Sequence, residues 1–265
     1  MKRWIPFLKS EPVVSVVRLQ GAIGAGGARG LSDRAMADAI EKAFSRGKPA
    51  AVALEINSPG GSAVQSSLIA ARIMRLSREK DIPVFSFVED IAASGGYWLA
   101  TAGEQIYVDR GSIVGSIGVI AATFGVQEAM GKIGIERRIH TAGKSKSFLD
   151  PFQPEKPADV KRLRGMLDEL HSYFKDHVTE RRAGKLADDK DLFTGEVWVG
   201  ERAIEVGLAD KLGQMVPVMK DRFGDKVRFR RYGQKRGLFQ RFGTQVVDDA
   251  VAGLEERAAF ARFGL

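Results

Sequence analysis

Apolar residues in this chain fall in short runs, and longer amphipathic stretches separate them. Val13–Leu19, Ala51–Ile56 and Val84–Val88 are apolar, largely β-branched and bounded by turn residues, which predicts buried strands. Between them the spacing predicts a helix from Ser32 to about Arg46, with Ser32 as N-cap, and another from about Ala63 to Lys80. A turn into a helix follows at Ser94, and strand signals recur at Gln105–Val108, Ile117–Ala121 and Ile135–His140. From about Glu155 to Arg182, Leu163, Met166, Leu167, Leu170, Phe174 and Val178 are spaced for one buried helical face. A short α-rich segment is expected near Phe193–Gly213, and an amphipathic helix from Thr244 to Phe263. Strands alternating with helices, each strand almost continuously apolar, predict an α/β fold: a mostly parallel sheet with flanking helices and a C-terminal helical segment.

Composition narrows the picture little. With 44% hydrophobic residues the chain can bury a full core, and with no cysteine it has neither disulfides nor thiolate chemistry. The start, Met1–Lys9, is basic and only briefly apolar, too short for a leader or a membrane span, so a soluble, cytoplasmic protein is expected. Charge matters more. Between Lys220 and Arg241 nine basic residues face only Asp221 and Asp225. Such a cluster suits peripheral contact with anionic lipid at the inner face of a membrane; a solvated face or a contact with another subunit is the plainer reading. No nucleic-acid motif accompanies it, and no nucleic-acid partner is expected. The expected division is a basic extension over 1–12, one domain over 13–215, and a basic tail over 216–265.

The candidate chemistry lies in the turns. Ala93-Ser94-Gly95-Gly96-Tyr97 puts a serine on a small-residue turn at a helix start. An isolated serine there is ordinarily a helix cap. Here the flanking small residues leave the hydroxyl uncrowded, and the next N–H points out of a helix N-terminus, where negative charge is stabilised. Ser58-Pro59-Gly60-Gly61 follows a strand and offers further N–H groups to an oxyanion. A base is then required. Of the three histidines, His171 and His177 fall on the long helical pattern, at the surface or an interface, and His140 is held in reserve. Gly143-Lys144-Ser145-Lys146 supplies the alternative. A lysine base must lose its charge, which apolar walls from Phe148, Pro151 and Phe152 and positive potential from Arg137 and Arg138 would favour. Two solvated loop lysines are the plain alternative.

Taken together, and in this order, these motifs resemble the signal peptide peptidase A (SppA) family of serine peptidases. The likeness runs from about Val13 to Gln214 and includes Gly115-Ser116-Ile117-Gly118-Val119, Phe193-Thr194-Gly195 and Gly207-Leu208-Ala209-Asp210-Lys211-Leu212-Gly213. It implies the Clp-protease/crotonase-like fold, Ser94 as nucleophile and Lys146 as general base, with Lys144 less favoured. It also implies Gly61 and Gly95 as oxyanion donors, Ser116 as the hydroxyl that orients the lysine, and no metal or organic cofactor. The substrates implied are signal peptide remnants and other unstructured polypeptides. Long members carry two tandem domains and many an anchor; this chain reads as a half-length form without one. The resemblance therefore implies a homo-oligomeric ring, with an octamer as the expected size, in which Lys146 of one copy meets Ser94 of the next. The rival expectations are a crotonase-type acyl-CoA enzyme and a non-catalytic ring scaffold.

Overall fold

A computed structural model describes residues 11–24, 30–143, 145–188, 190–233 and 257–265. Among the described residues eight strands form one sheet, whose main path runs from β6 (Val197–Val199) through β5 (Ile113–Gly115), β3 (Val84–Ala93), β2 (Ala51–Ser58) and β1 (Val13–Gln20) to β8 (Arg228–Tyr232). The strands β1 (Val13–Gln20), β2 (Ala51–Ser58) and β3 (Val84–Ala93) pair in parallel at its centre. Their β-branched runs suit a strand buried on both faces, and most of their residues are buried. One layer of helices, α1 (Asp33–Ser45), α2 (Ala63–Lys80) and α3 (Gly95–Ala100), closes the larger core, which includes Leu19, Ile40, Leu54, Ile69 and Ile106. On the opposite face α7 (Met215–Phe223) packs Met215 and Met219 against Val14, Ala53 and Phe87.

Helix starts follow local chemistry. The Ser32 hydroxyl accepts from Ala35 N–H at 3.3 Å, and that of Ser62 from Gln65 N–H at 3.4 Å. Each cap contributes about 1 kcal/mol. Arg72 of α2 then clamps α1 through both carboxylate oxygens of Asp33, at 2.7 and 2.8 Å. That hydrogen bonding holds the Asp33 carboxyl below its ordinary range.

What positions the site is a split in the sheet. The first part of β3 pairs with β4 (Gln105–Val108) through Phe85–Phe87, whereas Ile91–Ala93 pair instead with β5 (Ile113–Gly115). The register irregularity between Ile56 and Ser58 falls beside this change. Ala93 therefore lies opposite Gly115, and the chain leaves both strands at the same end of the sheet.

Several expectations are corrected. Ile117–Ala121 is not a strand; the strand there is β5, which begins four residues earlier, at Ile113. Ile135–His140 forms no strand either, because no strand among the described residues pairs with it. The segment near Phe193–Gly213 is mixed: β6 (Val197–Val199), α6 (Gly200–Glu205) and β7 (Lys211–Leu212). The expected boundary at 215 falls inside the fold, since α7 belongs to the second core and β8 (Arg228–Tyr232) pairs with β1 from Val13 to Val17. Alternating arginines hide this strand from an apolar-run reading, but charge suits an exposed sheet edge. The 1–12 extension lies almost wholly outside the described residues, as does most of the Thr244–Phe263 pattern; residues 257–261 are helical.

Helix α5 (Pro157–Arg181) is half docked. Phe174 and Val178 are buried, but Leu163 and Leu167 are only partly covered, and Met166 and Leu170 are exposed. The single apolar face runs along the whole helix, and among the described residues only its second half is fully buried. Past the end of α5, Arg182 is 2% exposed and donates to Asp210 at 2.7 Å, which also accepts from Lys185 at 2.6 Å and from Ile106 N–H at 2.7 Å. Burial works to raise the Asp210 carboxyl, but these hydrogen bonds outweigh it and hold it below the ordinary range. Asp210→Ala strands a buried guanidinium, and urea unfolding should show a loss of about 3–5 kcal/mol. A loss below about 1 kcal/mol would mean that the pair is not what holds this corner.

Candidate active site

Ser94 joins β3 to α3 with φ 51° and ψ −121°, a left-handed conformation that a side-chain-bearing residue rarely adopts. Such a conformation costs on the order of 1–3 kcal/mol and persists only when its surroundings hold it. Here Ser94 N–H donates to Gly115 O at 2.8 Å, and Ser94 O accepts from Trp98 N–H at 3.0 Å. The hydroxyl does not cap the helix. It stands partly exposed, with no hydrogen-bond partner among the described residues. Ser94 thus sits at the N-cap position of α3 without using its hydroxyl as the cap.

The glycine turn meets it directly. Gly60 has φ 101°, and a β-carbon there would lie 2.8 Å from Ser94 Cβ and 2.9 Å from Gly95 N. Gly61 has φ 142°, and a β-carbon there would fall 2.2 Å from Ile23 O. Only glycine satisfies both the angle and the space. Ser58 ties the turn down: its buried hydroxyl donates to Gly21 O at 2.7 Å and accepts from Gly60 N–H at 3.3 Å. Ile23 adds a backbone bridge, donating to Gly60 O at 2.8 Å and accepting from Ser62 N–H at 2.8 Å. The N–H groups of Gly61 and Gly95 have no acceptor among the described residues. A β-carbon on Gly95 would lie 3.4 Å from Gly61 N, so the two amides are close neighbours. Two free donors beside an uncapped serine can hold an oxyanion formed on an acyl group that the serine attacks.

Ser116 comes to the same place from β5. It follows Gly115, the partner of Ala93, and it too has a positive φ of 51°. Its N–H donates to Glu196 O at 2.7 Å, and a β-carbon on Gly118 would sit 3.2 Å from Gly195 Cα. The Phe193-Thr194-Gly195 motif thus borders the loop that seats Ser116.

The lysine is placed otherwise. Lys146 is exposed, and its side chain has no hydrogen bond or ion pair among the described residues. Lys144 lies outside the described residues. Residues 119–155 form an arm whose hydrogen bonds, among the described residues, all stay within the arm. Its helix α4 (Gln127–Lys132) buries no residue, and Phe124 and Ile133 are 86% and 71% exposed. The expected surroundings of the lysine are differently occupied. Arg137 pairs with Asp150 at 2.8 Å and lies over the Phe152 ring, Arg138 pairs with Glu136, and Arg162 lies over Phe148. His140 is exposed and unbonded among the described residues. One chain therefore brings Ser94, Gly61, Gly95 and Ser116 together and leaves Lys146 on the arm.

His177, expected at the surface or an interface, is half-buried between α5 and α3. It stacks on Trp98 at 4.3 Å, and its Nε2–H donates to the Thr101 hydroxyl at 2.8 Å, since that hydroxyl itself donates to Trp98 O. Burial, and then the charge of Arg181, push its pKa down to about 4. The unfolded chain therefore binds the proton more readily, with an ordinary value near 6.5. This contribution to stability is whole above about pH 6.5 and is lost as pH falls toward 4. His177→Phe should flatten the fall in urea midpoint between pH 6.5 and 4; an unchanged slope would assign the acid sensitivity elsewhere.

Sequence reasoning missed Ser58 and Ile23 as supports of the glycine turn, and it did not foresee that His171 reaches a main-chain group. Ser58 was legible as part of its motif; Ile23 and His171 carry no local signal.

The profile of peptidase family S49 matches residues 77–222, more than half of the chain. The whole chain is 46% identical, over 286 residues, to 39% of the length of the Na(+)/H(+) antiporter NhaA of Brucella melitensis. It is 33% identical over 169 residues to a putative protease of Methanocaldococcus jannaschii, covering 64% of this chain and 54% of that one. It is 29% identical over 200 residues to the chloroplastic serine protease SPPA of Arabidopsis thaliana, covering 75% and 29%. The chain thus spans no more than about half the length of these relatives. No described helix is long and apolar enough to cross a membrane.

Proposed function

The chain belongs to peptidase family S49, and on that premise we propose that it is a serine endopeptidase in which Ser94 attacks peptide bonds with Lys146 as its base. The observation that carries this reading is the strained, uncapped Ser94 beside the free N–H groups of Gly61 and Gly95. In sequence, the neutral lysine takes the Ser94 proton as the oxygen attacks the carbonyl carbon. The two amides hold the resulting oxyanion, worth roughly 2.7–4 kcal/mol for each donor. The lysine ammonium then protonates the leaving amine, and water hydrolyses the acyl-enzyme with the lysine again as base. The Ser116 hydroxyl orients the lysine.

The dyad in this reading is completed between copies, in a homo-oligomeric ring. Support comes from the exposed Lys146, from the apolar residues left uncovered on the arm, and from the undocked half of α5. Substrates are unstructured polypeptides, signal peptide remnants among them, because glycine turns without side chains admit an extended backbone. We also place the enzyme on the inner side of a membrane, as a peripheral protein. The antiporter relative, which carries a segment like the whole of this chain, and the basic region around β8 support that placement.

The test is labelling with a fluorophosphonate, read by intact mass. One adduct is expected on the wild-type chain and none on Ser94→Ala or Lys146→Ala. No adduct on assembled wild-type protein would overturn the peptidase reading in favour of an acyl-CoA enzyme or a scaffold.

A further inference from the structure

The turn that seats Ser116 is strained, so something must hold it. At φ 51° it stores on the order of 1–3 kcal/mol, which the surroundings have to offset. Three hydrogen bonds converge on it. Ser116 N–H donates to Glu196 O at 2.7 Å, and Gly118 N–H donates to Ser116 O at 2.9 Å. The third comes from a side chain: the Ile117 carbonyl accepts from His171 Nε2 at 3.1 Å. The first two are main-chain bonds that survive most substitutions. The third depends on one residue.

Its location gives it leverage. Ile117 is fully buried, whereas from residue 119 the chain passes into the arm, whose hydrogen bonds among the described residues stay within it up to residue 155. The Ser116–Gly118 turn is thus the root from which the arm carrying Lys146 departs. His171 opens the docked half of α5, where Phe174, His177, Val178 and Arg181 all meet the body of the protein. Phe174 stacks on Trp98 at 5.0 Å, and Arg181 donates to Thr101 O at 2.8 Å. A donor on a well-anchored helix is a rigid support. A carbonyl can only accept, so Nε2 carries the proton and donates from neutral and charged imidazole alike.

We propose that His171 is a positioning residue: by holding the Ile117 carbonyl it fixes the Ser116 turn and the root of the arm that carries the general base. The inference rests on the reading of Ser116 and Lys146 given above. Misplacing a catalytic group by about 1 Å can cost on the order of a hundredfold in rate, so a tether remote from the reacting atoms can govern kcat.

Two variants separate a tether from a space-filler. His171→Phe keeps a ring and removes the donor; His171→Gln keeps an N–H donor of similar reach. Both are made in the full chain, with assembly verified, and read by steady-state kinetics and by amide hydrogen exchange of a peptide spanning 114–122. The Phe variant should lose about 10- to 100-fold in kcat with KM little changed. It should also exchange faster at Ser116 and Gly118. The Gln variant should stay within about threefold of wild type and keep the wild-type exchange. A Phe variant with wild-type kcat and exchange overturns the proposal, as does a Gln variant as impaired as Phe. Failure of the dyad reading would show separately, as an unlabelled Ser94 in the wild-type chain, while the exchange data still decide whether His171 holds the turn.

Discussion

Mixing Ser94→Ala and Lys146→Ala chains, each nearly inactive alone, is expected to restore peptidase activity. Alone, each variant should lose at least about ten-thousand-fold in kcat, because nucleophile and base act as one unit. If a site takes its serine from one copy and its lysine from the next, a mixed ring regenerates sites. A Lys146→Ala chain still carries Ser94, and a Ser94→Ala neighbour still carries Lys146. In a random one-to-one ring the correct pair occurs at about one quarter of the junctions, so activity should recover to about a quarter of wild type. Subunits must be mixed before assembly or exchange during the experiment. Verified hybrid rings without recovery would mean that the dyad forms within one chain, with the arm folding back on its own body. The structure makes the question acute, since Lys146 stands exposed on an arm with few ties to the sheet.

Gly61→Ala should also be strongly damaging, though less so and for a different reason. The added β-carbon would lie 2.2 Å from Ile23 O, a main-chain atom that cannot rotate aside, and φ 142° is itself unfavourable for alanine. The turn must shift, and the Gly61 N–H shifts with it. Losing one oxyanion donor costs about a hundred- to a thousandfold in kcat, and fluorophosphonate labelling should slow in parallel. Gly184→Ala is the control. Gly184 has φ 70° but open space around it, so alanine there should cost stability without touching kcat. A folded Gly61→Ala protein with kcat within about threefold of wild type would remove this amide from the mechanism.

Much of this site is legible in the order of residues because its parts are turns. Ser94 with its glycines, Ser58 through Gly61, and the Ser116 turn each combine a small residue with a conformation that few other residues tolerate. A turn of this kind is a local property and leaves a local trace. The central strands are legible for a similar reason, since burial on both faces requires an unbroken apolar run. Even so, the same reading left Ser94 open between a helix cap and a nucleophile. Only the structure shows that φ is positive there and that the hydroxyl makes no cap bond.

Other features depend on what lies across space. The arginine-rich β8 is a strand because β1 offers it an edge, not because its residues favour one. Ile135–His140 has a strand-like pattern but pairs with no strand among the described residues. The apolar face of α5 reads as one stripe, yet Phe174 and Val178 are covered while Met166 and Leu170 are not. Nothing near His171 in the chain announces that it reaches Ile117, fifty-four positions away. Composition and periodicity record what each segment can bury and which turns it can make. Which surface it meets is a long-range matter of loop closure and packing, and the tertiary structure alone decides it.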